Sequence, residues 1–319
     1  RLQNLDPKIL ALYPNREPAE MMASRILGRP PAQVLLTNGA DEAIDLLCRA
    51  FLEPEDEIIV FPPTFTMYEV FARSAGATVV RVPAGVDFSF PLDEALAAVN
   101  PRTRVIVVAN PNNPTGAVIS DQTILELCKA APEAAVLVDE AYFEFYGQSV
   151  IGVVGAMPNL FVARTFSKAY GLAGMRVGVL VGRTEHISVM RRMTSPFNVN
   201  AIAIACLEDA LRDQKFVQDY VAQVRTTREW FRQQVEELGF KCWPSYGNFV
   251  LVNLAEHKEA ILKQMRSWGI SLRDRPDCPG CVRITIGKQK EMEVVVLAFT
   301  QALANLTPKQ EEGQEQTAP

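Results

Sequence analysis

The chain has 319 residues, 48% of them hydrophobic and 22% charged, a length and balance typical of a globular enzyme with one or two domains. Its formal net charge of -5 argues against a nucleic-acid-binding protein, because such proteins usually carry a basic surface. No apolar run approaches the length of a membrane span and the start lacks the apolar core of a secretory signal, so we expect a cytoplasmic protein without nucleic-acid or membrane partners.

Short apolar runs alternate with stretches of helical period along residues 32–182. This alternation predicts an α/β fold with a mainly parallel sheet and helices on both faces. Before the sheet, Pro18 and Gly28 have the positions expected just inside the start and just past the end of a helix. A second helix is predicted over 40–51, where apolar residues recur at helical spacing. The expected strands are Val34–Leu36, Ile58–Phe61, Val79–Val82, Val105–Ala109, Val136–Val138, Leu160–Ala163 and Val177–Val181.

The remainder of the chain predicts a smaller α+β domain. Residues 198–238 indicate one or two long helices that connect to it. We therefore expect a large domain over residues 18–205, and a small domain built from 1–17 and 206–306 that includes the connecting helices. The last residues, 307–319, lack apolar content and are predicted to be disordered. The small domain should contain a hairpin over 241–254, a helix over 256–268, a strand over 282–286 and a helix over 288–305.

The six cysteines are scattered, and most fall in apolar patterns where a free thiol acts as a small hydrophobic side chain. Cys278 and Cys281 have CxxC spacing, which redox or zinc chemistry could use. There is no second CxxC, and the only histidines are His186 and His257. We interpret the pair as two thiols in a loop and expect no metal site.

Ligands of open α/β sheets bind beyond the carboxyl ends of the strands, so polar residues that directly follow apolar runs are the first candidates. Ala40 and Asp41 lie where a strand is followed by a helix, and the free N–H groups of a helix start suit a phosphate. An ordinary helix cap explains this segment equally well. The chain contains neither GxGxxG nor GxxxxGK[ST], so neither a dinucleotide fingerprint nor a P-loop is present.

Two further polar residues follow predicted strands. Asp139 comes after three apolar residues, where an unpaired carboxylate is costly, so we expect a partner such as a cationic ring nitrogen. A helix cap or a structural ion pair is the alternative. Asn113, in a Pro-Asn-Asn-Pro-Thr-Gly loop, could offer its amide to a ring oxygen, or it could simply form a turn.

Lys168 carries the most specific signal in the chain. It follows a predicted strand and Thr165-Phe166-Ser167, and no polar helical face comes after it. An enclosed lysine loses proton affinity and can form a Schiff base with an aldehyde. Ser167, Thr165 and Arg176 could hold a phosphate, the arginine through charge-assisted bonds. Together these residues indicate a site for pyridoxal 5′-phosphate.

These motifs resemble those of the fold-type I pyridoxal-phosphate aminotransferases, and among them the histidinol-phosphate aminotransferase group. The similarity extends through nearly the whole chain, and the order of the motifs is specific for fold and cofactor and less so for substrate. The segments concerned are LYPNREP, NGADEAIDLLCRAFLEPEDEIIVFPPTFTMY, NPNNPTG, VDEAYFEF, RTFSKAYGLAGMRVG, GISLRDRP and CVRITIG.

The resemblance implies a role for each matching residue. Lys168 would bond the cofactor aldehyde and act as general base, and Asp139 would pair with the pyridine nitrogen and keep it protonated. Asn113 and Tyr142 would contact the ring hydroxyl, and Lys168, Asp139 and Tyr142 are the implied catalytic residues. Phe65 would stack on the ring at a position where the family often has tyrosine. The implied phosphate ligands are backbone groups of Ala40 and Asp41, with Thr165, Ser167 and Arg176.

The resemblance also implies a homodimer with shared sites, because Tyr13 matches a residue that reaches the cofactor phosphate of the neighbouring subunit. Arg283 matches an arginine near the acidic group of the substrate, Arg273 is a further candidate for an anionic group, and Asn113 also lies at the substrate position. Family members normally carry an N-terminal arm, upstream of the first residue here, that helps to close the site. Because the first residue is Arg rather than Met, we expect either a fragment or a chain without an ordered arm.

The activity that the resemblance implies is transfer of an amino group between L-histidinol phosphate and 2-oxoglutarate, as in histidine biosynthesis. Two alternatives share the scaffold: an aromatic amino-acid aminotransferase and a phosphothreonine-type decarboxylase. A different class, the ligand-sensing domains of transcription regulators, would require a basic DNA-binding domain, and none is visible in the sequence. A redox protein that uses Cys278 and Cys281 is the remaining alternative.

Overall fold

The computed structural model describes residues 6–306. The predicted tail, 307–319, and residues 1–5 of the predicted small domain lie outside the described residues. Seven strands form one sheet in the order β1-β7-β6-β5-β4-β2-β3. Adjacent strands are parallel along the part of the sheet formed by β3, β2, β4, β5 and β6. Strand β7 runs antiparallel to both of its neighbours, β1 and β6. The predicted, mainly parallel sheet is thus confirmed. Its strands are β1 (Val34–Thr37), β2 (Glu57–Val60), β3 (Thr78–Arg81), β4 (Thr103–Ala109), β5 (Ala135–Asp139), β6 (Leu160–Thr165) and β7 (Gly178–Val181).

Helices cover both faces of this sheet, which explains why its inner strands read as unbroken apolar runs. The buried residues of α2, α3 and α7 form the core on one face, and those of α1, α4 and α5 belong to the core on the other face. The helices of this region are α1 (Glu17–Leu27), α2 (Gly39–Phe51), α3 (Met67–Ser74), α4 (Leu92–Ala98), α5 (Asp121–Ala130), α6 (Phe143–Tyr146) and α7 (Thr184–Met193).

The helix predicted between Pro18 and Gly28 is α1. Pro18 lies in its first turn, where the missing N–H would have no intrahelical partner, and Gly28 ends it with a left-handed φ of 63°. The N–H of Gly28 donates to the carbonyls of Arg25 and Ser24, so two of the carbonyls at the helix end are satisfied.

Four antiparallel strands form a second sheet in the order β10-β11-β9-β8. The predicted helical stretch 198–238 is two helices that meet at Asp213, whose side chain accepts from the N–H of Phe216 and so caps the second helix. The strands are β8 (Lys241–Cys242), β9 (Phe249–Asn253), β10 (Arg273–Asp274) and β11 (Cys281–Thr285), and the helices are α8 (Ala201–Arg212), α9 (Gln214–Glu237), α10 (Lys258–Ser267) and α11 (Gln289–Leu306). Short 3₁₀ helices span Pro7–Leu10, Pro31–Gln33, Val86–Phe88, Val150–Val153, Ala173–Met175 and Ala255–His257.

The second sheet packs onto the first through a shared core. One hydrophobic cluster contains Val136 and Val162 of the first sheet together with Val250 and Val282 of the second. This continuity holds the loop after β10 beside the carboxyl ends of the parallel strands. None of the helices within residues 6–306 has an apolar stretch long enough to cross a bilayer.

Candidate active site

A cavity of about 390 Å³ lies at the carboxyl ends of β4, β5 and β6, where Ala109, Asp139 and Thr165 line it as the last residues of those strands. This volume is within the range of small-molecule sites. The cavity brings together nearly all of the site residues predicted from the sequence. These are Ala40, Asp41, Phe65, Asn113, Asp139, Tyr142, Thr165, Ser167, Lys168, Arg176, Arg273 and Arg283.

Chemistry rather than size distinguishes this cavity. A larger hollow of about 670 Å³ is lined by Phe143, Glu144 and Arg164, and no lysine contributes to it. The smaller cavity contains five cationic side chains, one lysine and four arginines, against two carboxylates. Such an excess of positive charge attracts anionic ligands.

One part of the cavity concentrates the hydrogen-bond donors that suit a phosphate. Helix α2 begins at Gly39, so the N–H groups of its first turn are directed away from the helix at the positive end of its dipole. Nη2 of Arg176 donates to Oδ2 of Asp41 at 2.7 Å, which holds the guanidinium at this helix start. The hydroxyl of Thr165 donates to Oγ of Ser167 at 2.9 Å and accepts from the N–H of Ser167 at 3.1 Å. Backbone donors, two hydroxyls and an arginine thus line one cavity.

Two glycines allow this close approach. Gly39 has a φ of +79°, and a Cβ placed on it would lie 2.7 Å from Nη2 of Arg176. Gly178 of β7 lies behind the helix start, where an added Cβ would be 2.6 Å from the carbonyl carbon of Gly39 and 2.7 Å from the nitrogen of Ala40. A side chain at either position would displace the groups that would bind the phosphate.

Asp139 is the last residue of β5 and is only 6% exposed. Its Oδ2 accepts from the hydroxyl of Tyr68 at 2.6 Å and its Oδ1 from the N–H of Ala141 at 3.0 Å. Burial raises the pKa of the Asp139 carboxyl, while these two hydrogen bonds and the charge of Lys168 act in the opposite direction. A cationic ligand group beside Asp139 would offset the cost of burying this carboxylate.

Lys168 follows β6 and is half-buried, with its Nζ 5.6 Å from the centre of the Tyr142 ring. Burial is the largest cause of a lowered pKa for its amino group, and the positive charges of Arg283 and Arg176 lower it further, against the carboxylates of Asp139 and Asp41. A lowered pKa increases the fraction of neutral amine, which is the nucleophilic form.

The polar side chains of Tyr142, Asn113 and Arg283 form another part of the cavity wall. Nη1 of Arg283 donates to Oδ1 of Asn113 at 2.6 Å. Burial raises the pKa of the Tyr142 hydroxyl and lowers that of the Arg283 guanidinium, and the two groups interact favourably with each other. The contact orients the amide of Asn113 and joins the loop after β4 to strand β11.

Sequence reasoning missed three polar residues of the cavity, Thr66, Tyr68 and Arg275. Tyr68 is fully buried on α3, where a tyrosine is typical of an apolar helix face. Its ring also packs edge-on against Phe65, with the ring centres 5.5 Å apart. Arg275 lies in a Pro- and Asp-containing turn that resembles an ordinary surface loop.

Tyr13 lies apart from the cavity of its own chain. It is 81% exposed and stacks on Phe197, with the ring centres 4.3 Å apart. The wall of this chain's cavity, as described, does not include it.

The carboxyl edge of the mainly parallel sheet carries a lysine, a buried carboxylate and a helix start with free N–H groups. This combination is that of an enzyme site for a phosphorylated cofactor. Residues 16–299 match the family described as aminotransferase class I and II, and the chain belongs to that family. It is therefore a pyridoxal-phosphate-dependent transferase, and the charges and donors of the cavity fit that cofactor.

Individual relatives support this membership. The chain is 36% identical to histidinol-phosphate aminotransferase of Methanococcoides burtonii, over 91% of this chain and 82% of that protein. It is 34% identical to histidinol-phosphate aminotransferase of Geobacillus sp., over 92% of this chain and 83% of the other. The crystal structure of histidinol-phosphate aminotransferase from Sinorhizobium meliloti in complex with pyridoxal-5′-phosphate is similar, with a TM-score of 0.87, 25% identity and coverage of 94% of this chain and 85% of that one.

Proposed function

We propose that the protein transfers the amino group of L-histidinol phosphate to 2-oxoglutarate, as a step of histidine biosynthesis. The observation that carries this proposal is the presence of Arg273, Arg275 and Arg283 in the same cavity as Lys168. Three arginines suit an amine that carries a strongly anionic group. The relatives described above, at 34% and 36% identity, are histidinol-phosphate aminotransferases.

In this proposal the bound cofactor supplies an aldehyde for the amine and a ring that withdraws electrons from the α-carbon of the substrate. Lys168 would hold the aldehyde covalently. Once freed by the substrate amine, its amino group would serve as the general base that moves a proton to or from the α-carbon of the substrate. The lowered pKa of Lys168 would keep a larger share of this freed amine neutral, which is the form that can accept a proton.

The other cavity residues orient the cofactor. Asp139 would keep a proton on the pyridine nitrogen, because an ionised carboxylate that is only 6% exposed is stabilised by a cationic partner. Asn113 and Tyr142 would contact the ring hydroxyl, and Phe65 would stack on the ring. The backbone of Ala40 and Asp41 and the side chains of Thr165, Ser167 and Arg176 would bind the phosphate.

Arg283 and Arg273 bind anionic groups of the two substrates. They are direct partners across the β10–β11 ladder, so their backbones are adjacent. Arg283 is fixed by its 2.6 Å bond to Asn113, which places its guanidinium beside the group that would contact the cofactor ring. The amino donor and the oxo acid acceptor would use this wall in turn.

We also propose a homodimer in which Tyr13 reaches the cofactor phosphate of the partner subunit. Leu10, Leu12 and Tyr13 are 68% to 81% exposed in the single chain, and a partner subunit would cover these apolar side chains. We divide the chain into a large domain, 18–205, and a small domain, 1–17 with 206–306. The six free thiols are consistent with a reducing compartment, the cytoplasm.

A single-turnover assay tests the activity. The cofactor-bound protein is mixed separately with L-histidinol phosphate, L-phenylalanine and O-phospho-L-threonine, and the visible absorbance of the cofactor and the release of carbon dioxide are followed. Rapid loss of the visible band with the first compound alone supports the proposal. A response mainly to phenylalanine would indicate an aromatic aminotransferase, and carbon dioxide from phosphothreonine would indicate a decarboxylase.

A Lys168→Ala variant is the control for the chemistry. We expect turnover to fall by about 10⁴-fold or more, because both the covalent attachment and the proton transfer are lost. Turnover at the wild-type rate in this variant would contradict the assigned role of Lys168.

A further inference from the structure

The loop between β10 and β11 places Arg275 in the cavity beside Arg273 and Arg283. The side chain of Arg275 is only 11% exposed. A guanidinium that is nearly buried needs hydrogen-bond acceptors, because its desolvation is costly. The partners of Arg275 therefore show which of its N–H groups remain free for a ligand.

Asp277 binds one edge of the Arg275 guanidinium. Oδ1 of Asp277 accepts from Nε at 2.9 Å, and Oδ2 accepts from Nη2 at 2.5 Å. Nη2 also lies 3.5 Å from the carbonyl of Thr64. Nη1 has no hydrogen-bond partner within residues 6–306, so both of its N–H groups are available to a ligand.

Backbone hydrogen bonds and two buried thiols hold the turn that carries Arg275 and Asp277. The N–H of Cys278 donates to the carbonyl of Arg275 at 2.9 Å, and the N–H of Cys281 donates to the carbonyl of Cys278 at 2.9 Å. The thiols of Cys278 and Cys281 are buried in a small cluster with Leu251. The buried CxxC segment thus anchors the turn, and the two bonds to Asp277 orient the guanidinium of Arg275.

The three arginines of this wall carry more positive charge than the protein neutralises. Within residues 6–306, Asp277 is the one carboxylate that bonds Arg275. Burial is the main cause of the lowered pKa of Arg283, and the charges of Arg275 and Arg273 lower it further. A carboxylate ligand brings one negative charge, whereas a phosphate monoester brings about 1.5 to 2 at neutral pH and three acceptor oxygens. The wall therefore matches a phosphate monoester better than a single carboxylate.

We propose that Arg275, oriented by Asp277, is a specificity-determining residue that binds the phosphate monoester of the amine substrate and favours it over the unphosphorylated amine. This inference rests on the proposed function, since it assumes a phosphorylated amino donor. It adds a third arginine to the two that the sequence indicated.

Equilibrium binding of two ligands to the holoenzyme tests the inference. L-Histidinol phosphate and L-histidinol are titrated against the wild-type protein and the variants Arg275→Gln, Arg275→Lys and Arg266→Gln, with the cofactor absorbance as readout. Arg266 is exposed on α10, so its replacement removes the same charge outside the cavity. Arg275→Gln should weaken binding of the phosphorylated ligand by about tenfold and change that of L-histidinol by less than about twofold, since one charge-assisted bond is lost.

Arg275→Lys should retain part of the preference, because the charge remains but a lysine cannot bond Asp277 and the phosphate in the same geometry. Arg266→Gln should leave both affinities unchanged. Since both ligands are measured on each variant, a general distortion of the turn would weaken both of them equally. If Arg275→Gln does not fold, the ratio of the affinities of Arg275→Lys for L-histidinol phosphate and L-histidinol tests the inference instead.

The outcomes separate this inference from the proposed function. A wild-type protein that binds the two ligands equally would overturn the proposed function and this inference with it. A wild-type preference that Arg275→Gln retains in full would overturn the role of Arg275 alone. If Arg275→Gln weakens the binding of both ligands equally, Arg275 has only a structural role, which also contradicts the inference.

Discussion

The hydroxyl of Tyr68 on α3 donates a 2.6 Å hydrogen bond to Oδ2 of Asp139, the buried carboxylate at the end of β5. The bond lowers the pKa of Asp139, against the larger effect of burial, which raises it. The carboxylate in turn contributes to the strongly raised pKa of the Tyr68 hydroxyl, so the tyrosine remains a donor. Tyr68 therefore favours the ionised form of Asp139.

Tyr68→Phe should move the acid limb of the kcat/KM profile to higher pH by about one unit, because a bond that stabilises the carboxylate is lost. The sign follows from Asp139: its pKa rises, so its ionised form disappears at a higher pH as the solution is acidified. The measurement is a pH series of kcat/KM. Tyr170→Phe, which removes a hydroxyl 3.5 Å from Gln214 outside this cavity, is the control. An unchanged acid limb in Tyr68→Phe would contradict this role.

Gly39→Ala should weaken cofactor binding. The new Cβ would lie 2.7 Å from Nη2 of Arg176, so the guanidinium must leave Asp41, and the φ of +79° adds backbone strain of about 1 to 2 kcal/mol. Equilibrium dialysis of pyridoxal phosphate should show a loss of affinity of about tenfold.

Gly174→Ala is the matched control for this prediction. Gly174 belongs to the 3₁₀ helix just before Arg176, and a Cβ on it would meet nothing within 4 Å. We expect its cofactor affinity to equal that of the wild type. Equal losses in the two variants would show that general instability of the segment, rather than displacement of Arg176, causes the effect.

Glu144→Gln should stabilise the protein at pH 8 and have little effect at pH 5. Burial raises the pKa of the Glu144 carboxyl from 4.5 to about 7, and its Oε2 has no partner among the described residues. The folded protein thus binds this proton more tightly than the unfolded chain does. Stability is therefore lost as the pH rises from about 4.5 to about 7.

The loss in the free energy of unfolding is at most about 3.5 kcal/mol, because one unit of pKa difference corresponds to about 1.4 kcal/mol. Urea unfolding at the two pH values measures it. Glu133→Gln removes the same charge at an exposed loop position. It should leave the difference in the free energy of unfolding between pH 5 and pH 8 as it is in the wild type. A gain for Glu144→Gln that is equal at both pH values would mean that ionisation is not its cause.

The sheet and most of the cavity were predictable from the sequence, because a polar residue that follows an apolar run marks the end of a buried strand. Asp139 and Thr165 follow apolar runs, and parallel strands bring their carboxyl ends to one edge. Strand β10 has two residues, too few for a pattern. Tyr68 and Arg275 were missed because their partners, Asp139 and the cavity wall, are defined by tertiary contacts. A tyrosine on a helix face and an arginine in a turn carry no local sign of such contacts.

The proposed contribution of Tyr13 to the partner's site predicts complementation between two defective subunits. Lys168→Ala removes the lysine from its own site, and Tyr13→Ala removes the phosphate contact from the partner's site. In a mixed dimer, one site has Lys168 from one subunit and Tyr13 from the other. Random mixing makes about half of the dimers mixed and restores one of the two sites in each, or about a quarter of wild-type activity.

The measurement is turnover after the two variants are denatured and refolded together, compared with each variant refolded alone. It is made at a low cofactor concentration, where the loss of a phosphate contact limits binding. The control pair, Lys168→Ala with Phe216→Ala, replaces a different exposed aromatic residue. Because Phe216→Ala is itself active, its mixture should equal the average of the two proteins. If the mixture of Lys168→Ala and Tyr13→Ala gives only the average turnover of those two variants refolded alone, Tyr13 does not contribute to the partner's site.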